Sequence, residues 1–174
     1  GIEDEDDWLE KRLLNIEQSD HHSVAPGEKG SLMNETELAV LREQFQLAPF
    51  IAALGIELDS IGLGECVAAL ELQPRHLQQN GVVHAGVQAT MADHTAGAAA
   101  STLVDDGSHV MTAEFKISLL RAARGERLIC RSKVLKPGNR LSFVESEVFC
   151  VSAGVEVLVA KASATMVVLA ARRE

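Results

Sequence analysis

The stretch from residue 85 to residue 103 reads AGVQATMADHTAGAAASTL and consists mostly of residues with small side chains. Alanine, its commonest residue, has the highest intrinsic helix propensity, and no run of β-branched residues interrupts the stretch. The composition therefore predicts one long α-helix. Because small side chains let a helix lie close to its neighbours, we expect this helix to pack directly against a sheet or another helix.

Strand patterns lie on both sides of this stretch. The clearest runs from Met111 to Leu119, where apolar and polar residues alternate, with Thr112 and Lys116 on the polar face. Further strands are predicted at residues 56–59, 66–72, 128–135, 141–151 and 155–169. A short helix, two strands, the long helix and a four-stranded meander together predict an α+β protein. Its antiparallel β-sheet would wrap around one long central α-helix, which is the hotdog fold.

The first 33 residues differ from the rest of the chain in charge. Residues 1–30 carry nine acidic and three basic side chains, whereas the whole chain of 174 residues has a formal net charge of −9. Proline and glycine at positions 26, 27 and 30 interrupt a helix-like apolar spacing that begins at Trp8. We therefore predict an acidic N-terminal extension at residues 1–33, partly helical, and a single hotdog domain at residues 34–174.

The composition argues against several classes of protein. A negative net charge disfavours a nucleic-acid partner, because phosphate binding needs clustered lysine and arginine. No apolar run reaches the roughly 18 residues that a transmembrane helix needs, so no membrane partner is expected. Cys66, Cys130 and Cys150 form no CxxC pair and lie in apolar runs, which favours buried thiols in a reducing compartment. These features predict a cytoplasmic protein.

A set of short motifs surrounds the start of the long helix. Residues 81–86 read GVVHAG, and an acid on the helix, Asp93, follows His84 by nine positions. Two later segments complete the set, TAEFKI at residues 112–117 and VLKPGNRL at residues 134–141.

In these motifs the chain resembles the PaaI-like branch of hotdog thioesterases, named for phenylacetate degradation, over about residues 49–168. The resemblance implies an acyl-CoA thioesterase that releases a carboxylic acid and free CoA and needs no metal or cofactor. Two positions depart from the family pattern. Ala85 replaces the family's first glycine after the histidine, and Gln78 stands where the family has asparagine. Ala85 would act through its backbone and Gln78 still supplies an amide, so both departures are compatible with activity.

Helix geometry constrains how the acid can act. A helix start offers unpaired N–H groups and a positive dipole end, so the backbone of Ala85 and Gly86 is the expected oxyanion hole. The resemblance assigns Asp93 as general base or nucleophile. Asp93 lies about eight residues into the helix and hence roughly 12 Å from its start. Both groups can act on one thioester only if two chains supply them, which predicts a homodimer with composite active sites. A homotetramer is the favoured assembly, with the dimer alone as the alternative.

The other candidate catalytic residues have structural alternatives. By resemblance, His84 orders the loop or orients the thioester, Thr112 holds the attacking water, and Gln78 supplies an amide to the site. The alternatives are a histidine bonded to the backbone, an ordinary strand threonine and, for Asp93, an exposed helix acid. His94 follows the acid but points about 100° away on a helix, which favours a structural role.

Candidate substrate-binding residues are expected around this centre. Basic side chains can bind the phosphates of CoA, although lone surface bases are often simply solvated. The candidates are Gly81, Arg121, Lys136 and Arg140. The sequence does not identify the acyl group, because small changes in a pocket decide chain length. A hotdog dehydratase fits poorly, since it would carry its acid earlier in the helix. A non-catalytic hotdog protein that binds or senses acyl-CoA is the main alternative function.

Overall fold

The computed structural model describes residues 43–104 and 108–169, so the predicted N-terminal extension lies outside the described residues. Residues 43–46 are helical. The elements that follow are α1 (Pro49–Leu54), β1 (Glu57–Gly62), β2 (Glu65–Glu71), a 3₁₀ turn (Pro74–His76), α2 (Ala85–Ser101), β3 (His109–Leu119), β4 (Arg127–Lys136), β5 (Leu141–Ser152) and β6 (Val155–Leu169).

The six strands form one antiparallel sheet in the order β1-β2-β4-β5-β6-β3, and α2 contacts every strand. The predicted α+β architecture is therefore confirmed. The predicted four-stranded meander is wrong for its first strand, because β3 pairs with β6 at the far edge of the sheet. Residues 120–126 carry the chain back towards β4, and the N–H groups of Leu120 and Arg121 donate to the carbonyl oxygen of Val159 on the way. Alternation identifies a strand but not its neighbour, so the pattern could not give this order.

Small side chains make the contact between α2 and the sheet. The alanines of α2 that have no exposed surface are Ala92, Ala96, Ala99 and Ala100. The sheet supplies larger side chains to the same core, and Leu128 and Val148 are also fully buried. Because alanine projects little beyond the backbone, the helix can lie close to the strands with the dense packing of a protein interior.

The three cysteines are free and buried, as predicted. Burial raises the pKa of Cys66 to about 12 and the pKa of Cys130 to about 11. Both thiols therefore stay protonated near neutral pH and pack as small apolar groups. Among the described residues, no helix is both long and apolar enough to cross a bilayer.

The buried Ala96 leaves no room for a larger side chain. We expect Ala96→Leu to lower the free energy of unfolding by about 1–3 kcal/mol, because overpacking pushes the helix away from the sheet. Urea denaturation followed by circular dichroism measures this change. The matched control is Ala53→Leu at an exposed position of α1, which should change the same quantity by less than about 0.5 kcal/mol. Equal effects of the two substitutions would contradict a tight contact.

Candidate active site

Asp93 and Thr112 meet between α2 and β3. The hydroxyl group of Thr112 donates a hydrogen bond of 2.8 Å to Oδ1 of Asp93. The Asp93 side chain is half-buried on the helix, and Thr112 lies on the exposed edge strand. The structure thus brings together two candidate residues that the sequence analysis identified separately. The hydrogen bond from Thr112 orients one oxygen of the Asp93 carboxylate.

This contact depends on a β-bulge. The register of β3 on β6 shifts after Thr112, so Ala113 is an extra residue in the strand. A bulge of this kind disrupts the ladder and changes which side chains share a face. The prediction that Thr112 lies on the same face as Lys116 is therefore wrong, since Thr112 faces α2 on the inner side of the sheet.

Asp93 and Thr112 line a pocket of about 280 Å³, which we call the acid pocket. Its apolar lining residues are Phe45, Ile61, Gly97, Ala98 and Val110, and its other polar lining residues are Gln44, His94 and Ser101. Half of the lining residues are thus apolar and half are polar, and convergent polar groups beside an apolar surface are typical of small-molecule sites. Here the arrangement places a carboxylate beside space for an apolar ligand.

His94 has the structural role that its position on the helix favours. Its Nε2 lies 3.1 Å from the carbonyl oxygen of Phe45, and its ring meets the Phe45 ring edge to face at 4.3 Å between centroids. Burial lowers the pKa of His94 below its ordinary value, against the smaller opposing effects of the Phe45 carbonyl and the charge of Asp93. A neutral ring with its proton on Nε2 satisfies the Phe45 carbonyl and ties residues 43–46 to α2.

A second pocket, of about 570 Å³, lies at the start of α2, and we call it the helix-start pocket. It is lined by Gln78, Gln79, Val82, Val83, His84, Ala85, Gln88, Leu119, Leu120, Arg121, Ala122 and Ala123. It shares no lining residue with the acid pocket. Within one chain, the candidate acid and the candidate oxyanion hole therefore open onto different pockets, in agreement with the rise of the helix.

His84 caps α2. Its Nδ1 accepts a hydrogen bond of 2.9 Å from the N–H of Gly86, and its own N–H donates to the carbonyl oxygen of His76. This is the backbone-bonded arrangement that was the alternative role for His84. The N–H of Gly86 is occupied by this cap, whereas the N–H of Ala85, at the first helical position, has no acceptor within its helix.

Gln78 and Gly81 form a tight turn before the helix. The side-chain oxygen of Gln78 accepts a hydrogen bond from the N–H of Asn80, and its carbonyl oxygen accepts one from Gly81. Gly81 has φ +69°, a left-handed conformation that favours glycine. The guanidinium of Arg124 donates to the carbonyl oxygens of Gly81 at 3.0 Å and Asn80 at 3.2 Å. Sequence reasoning missed Arg124, because no local motif links it to a turn so far away in the chain.

The three basic candidates do not converge. Arg121 lines the helix-start pocket and donates a hydrogen bond of 3.0 Å to the carbonyl oxygen of Leu158. Lys136 and Arg140 are exposed at the turn between β4 and β5 and line neither pocket. Within a single chain the three therefore share no pocket, and their role in binding the phosphates of CoA stays a prediction.

Two buried serines, which sequence reasoning also missed, hold α2 next to the acid. Ser146 of β5 donates a hydrogen bond of 3.0 Å to the carbonyl oxygen of Ala92, the residue before Asp93. Ser132 of β4 lies 2.7 Å from the Ser146 hydroxyl. The sequence contained one signal for them, because Ser132 and Ser146 each occupy an inward position of an alternating strand where the neighbouring inward residues are apolar. No group of histidine, cysteine and acidic side chains able to hold a metal ion occurs in the described parts of the chain.

Comparison with known proteins gives a consistent result. The profile of the thioesterase superfamily matches residues 80–157. A curated Haemophilus influenzae protein described as "Putative esterase" is 25% identical over 91 residues, which are 52% of this chain and 66% of that protein. The matched region is thus a little under two thirds of that relative's length.

Solved structures share the fold. A thioesterase family protein from Silicibacter pomeroyi is 32% identical, with a TM-score of 0.72 over 74% of this chain and 95% of that chain. A conserved protein from Pseudomonas aeruginosa is 28% identical, with a TM-score of 0.66 over 72% of this chain and 98% of that chain. A Haemophilus influenzae thioesterase that is 20% identical superposes with a TM-score of 0.68 over 80% of this chain and 92% of that chain.

The environment of His94 predicts a pH-dependent stability. Because its pKa is lowered in the folded chain, the unfolded chain takes up a proton first as the pH falls below the ordinary value of 6.5. The free energy of unfolding that the neutral His94 ring contributes is fully present above pH 6.5 and is lost as the pH falls through the folded-state pKa of His94. Urea denaturation from pH 8 to pH 5 measures it.

His94→Gln, which keeps a donor for the Phe45 carbonyl, should reduce the loss of stability on acidification. His109→Gln, at an exposed position on β3, is the control and should leave the pH dependence as in the wild type. A His94→Gln variant with unchanged pH dependence would exclude this histidine as the cause.

Proposed function

This chain belongs to the thioesterase superfamily of hotdog proteins, and from that premise we propose that it is a thioester hydrolase that converts acyl-CoA to a carboxylic acid and free CoA. The observation that carries the proposal is the Asp93 carboxylate, which accepts a hydrogen bond from Thr112 and lines a pocket whose other walls include Phe45, Ile61 and Val110. The pocket offers space for an acyl group beside a group that can activate water. A PaaI-like preference is part of the proposal.

Asp93 supplies the chemistry by one of two routes. As a general base, its carboxylate accepts a proton from water while the water oxygen bonds to the thioester carbon. The C–S bond then breaks, and CoA leaves as the thiol by taking up that proton. As a nucleophile, a carboxylate oxygen attacks the thioester carbon, the C–S bond breaks, and CoA leaves as the thiolate. Water then hydrolyses the mixed anhydride, which releases the carboxylic acid, regenerates the Asp93 carboxylate and supplies the proton that the CoA thiolate takes up. In both routes the hydrogen bond from Thr112 orients the carboxylate.

The oxyanion that forms in either route needs hydrogen-bond donors. We assign this role to the N–H of Ala85 in a second copy of the chain, at the positive end of the α2 dipole. The cap formed by His84 supports Ala85 over Gly86, because the N–H of Gly86 already donates to His84. In this proposal Gln78 and Gly81 shape the turn beside the same site.

The edge strand β3 supports a dimer that joins the two pockets. Thr112 lines the acid pocket and Leu119 lines the helix-start pocket, so β3 contacts both pockets. Thr112 and Leu119 lie about 24 Å apart along the strand. Its outer edge has no pairing strand among the described residues, and such an edge is a template for pairing with another chain. If two copies pair antiparallel through β3, the acid pocket of one chain approaches the helix-start pocket of the other. Tetramer formation from such dimers is a further part of the proposal.

The proposed role of Asp93 is tested with a panel of acyl-CoA substrates and a thiol-trapping reagent. We expect the wild type to release CoA and Asp93→Asn to lower kcat/KM by about 10²- to 10⁴-fold, since the amide keeps an acceptor for Thr112 but cannot take a proton. Asp59→Asn, an exposed acid outside both pockets, is the matched control and should retain wild-type rates.

Three outcomes decide between the functions. Full activity in Asp93→Asn would remove Asp93 from the mechanism. Tight acyl-CoA binding by the wild type without release of thiol would favour the non-catalytic sensor. Hydrolysis of oxygen esters alone would leave an esterase and contradict the CoA substrate.

A further inference from the structure

Gln88 is a buried polar residue at the helix-start pocket to which the proposed reaction gives no role. It lies one turn into α2, is 3% exposed and lines the pocket together with His84 and Ala85. Its Nε2 donates a long hydrogen bond of 3.4 Å to the carbonyl oxygen of Val83. Within the described part of the chain, its Oε1 has no hydrogen-bond partner.

A buried amide oxygen without a partner is unusual, because most buried polar atoms in native structures are hydrogen-bonded. Rotating the amide by 180° does not remove the problem, since Oε1 would then face the carbonyl oxygen of Val83, which is also an acceptor. The side chain therefore presents an acceptor that needs an N–H or O–H donor from an occupant of the pocket.

We propose that Oε1 of Gln88 accepts a hydrogen bond from the amide N–H of the pantetheine arm of the substrate, a proposal that rests on the thioesterase function. Ala85 and Gln88 are three residues apart and so lie about 5–6 Å from each other on one face of the helix. In a CoA thioester only a two-carbon link separates the sulfur atom from the first amide nitrogen. A thioester carbonyl bound at the N–H of Ala85 can thus place that amide next to Gln88.

The rest of the pocket suits the same ligand. Its walls include Val82, Val83, Leu119 and Leu120, which can contact the methylene groups of the arm, while Gln88 supplies a specific polar contact. Pockets of this kind gain orientation from a small number of well-placed polar groups. Gln88 is therefore assigned as a specificity-determining residue for the thiol half of the substrate, and the acyl half is read elsewhere.

The test compares two thioesters of one acyl group, an N-acetylcysteamine thioester and an alkyl thioester of matching length that lacks the amide. Gln88→Met keeps the length of the side chain and removes the acceptor. We expect this variant to lower kcat/KM about tenfold for the amide-bearing substrate and to leave kcat/KM for the amide-free substrate unchanged. Gln88→Glu should restore discrimination between the two substrates below neutral pH, where the buried carboxyl is protonated, donates to the Val83 carbonyl oxygen as the amide does, and keeps one oxygen as an acceptor.

Gln79→Met, at an exposed position of the same pocket, is the matched control and should change both rates by the same factor. A thermal unfolding curve checks that each variant is folded. Equal loss of rate with both substrates in Gln88→Met, or no loss with either, would overturn the assignment, because a water molecule or a partner chain would then satisfy Oε1.

A binding measurement separates failure of this assignment from failure of the proposed function. S-hexyl pantetheine, a thioether that cannot be hydrolysed, and a hexyl thioether without amides are titrated calorimetrically into wild type and Gln88→Met. We expect the substitution to raise the Kd of the amide-bearing thioether about tenfold and to leave the other unchanged. If the wild type hydrolyses no thioester but shows this difference, the proposed reaction fails and the Gln88 contact stands. Unchanged Kd values for both thioethers would reject the contact.

Discussion

The close contact between the alanine face of α2 and the inner face of the sheet determines where the functional groups lie. Fully buried residues such as Ala92 and Ala96 let the helix approach the strands, and the Ser146 hydroxyl fixes it there through the carbonyl oxygen of Ala92. The next residue is Asp93. Its carboxylate is thereby brought within 2.8 Å of the Thr112 hydroxyl on β3. The position of the acid therefore depends on the packing of the small side chains against the sheet.

The same rigid helix keeps the acid away from the helix start. Asp93 opens onto one pocket and Ala85 onto another, and the two pockets have no lining residue in common. A helix cannot shorten to bring its own ends together, so the proposed chemistry requires a second chain. The exposed edge of β3, which reaches both pockets, makes a two-fold pairing of chains the simplest arrangement that provides one.

The sequence predicted the fold class and the long helix, because both follow from local composition and spacing. The meeting of the acid with the helix start of a second chain stays a prediction. The sequence did not predict the position of β3 at the sheet edge, since alternation carries no information about which strands pair. It also placed Thr112 on the wrong face, because the bulge at Ala113 has no glycine or proline to mark it. Contacts between residues far apart in the chain were not predicted either, because no local pattern marks them. Arg124 holds the turn at Gly81 across 43 positions, and Ser146 reaches Ala92 across 54.

Mixed dimers test most directly the claim that each active site is built from two chains. One chain carries Asp93→Asn. The other carries Ala85→Pro, which removes only the N–H at a helical position where proline is tolerated, after a residue whose φ −60° and ψ 137° suit a following proline. Each variant alone should hydrolyse acyl-CoA poorly. The two variants are co-expressed with different affinity tags, so that mixed dimers can be purified and counted. The unsorted mixture should regain about a quarter of wild-type activity, because about half of its dimers are mixed and each mixed dimer contains one intact site of two. Purified mixed dimers with no more activity than the separate variants would contradict the composite site.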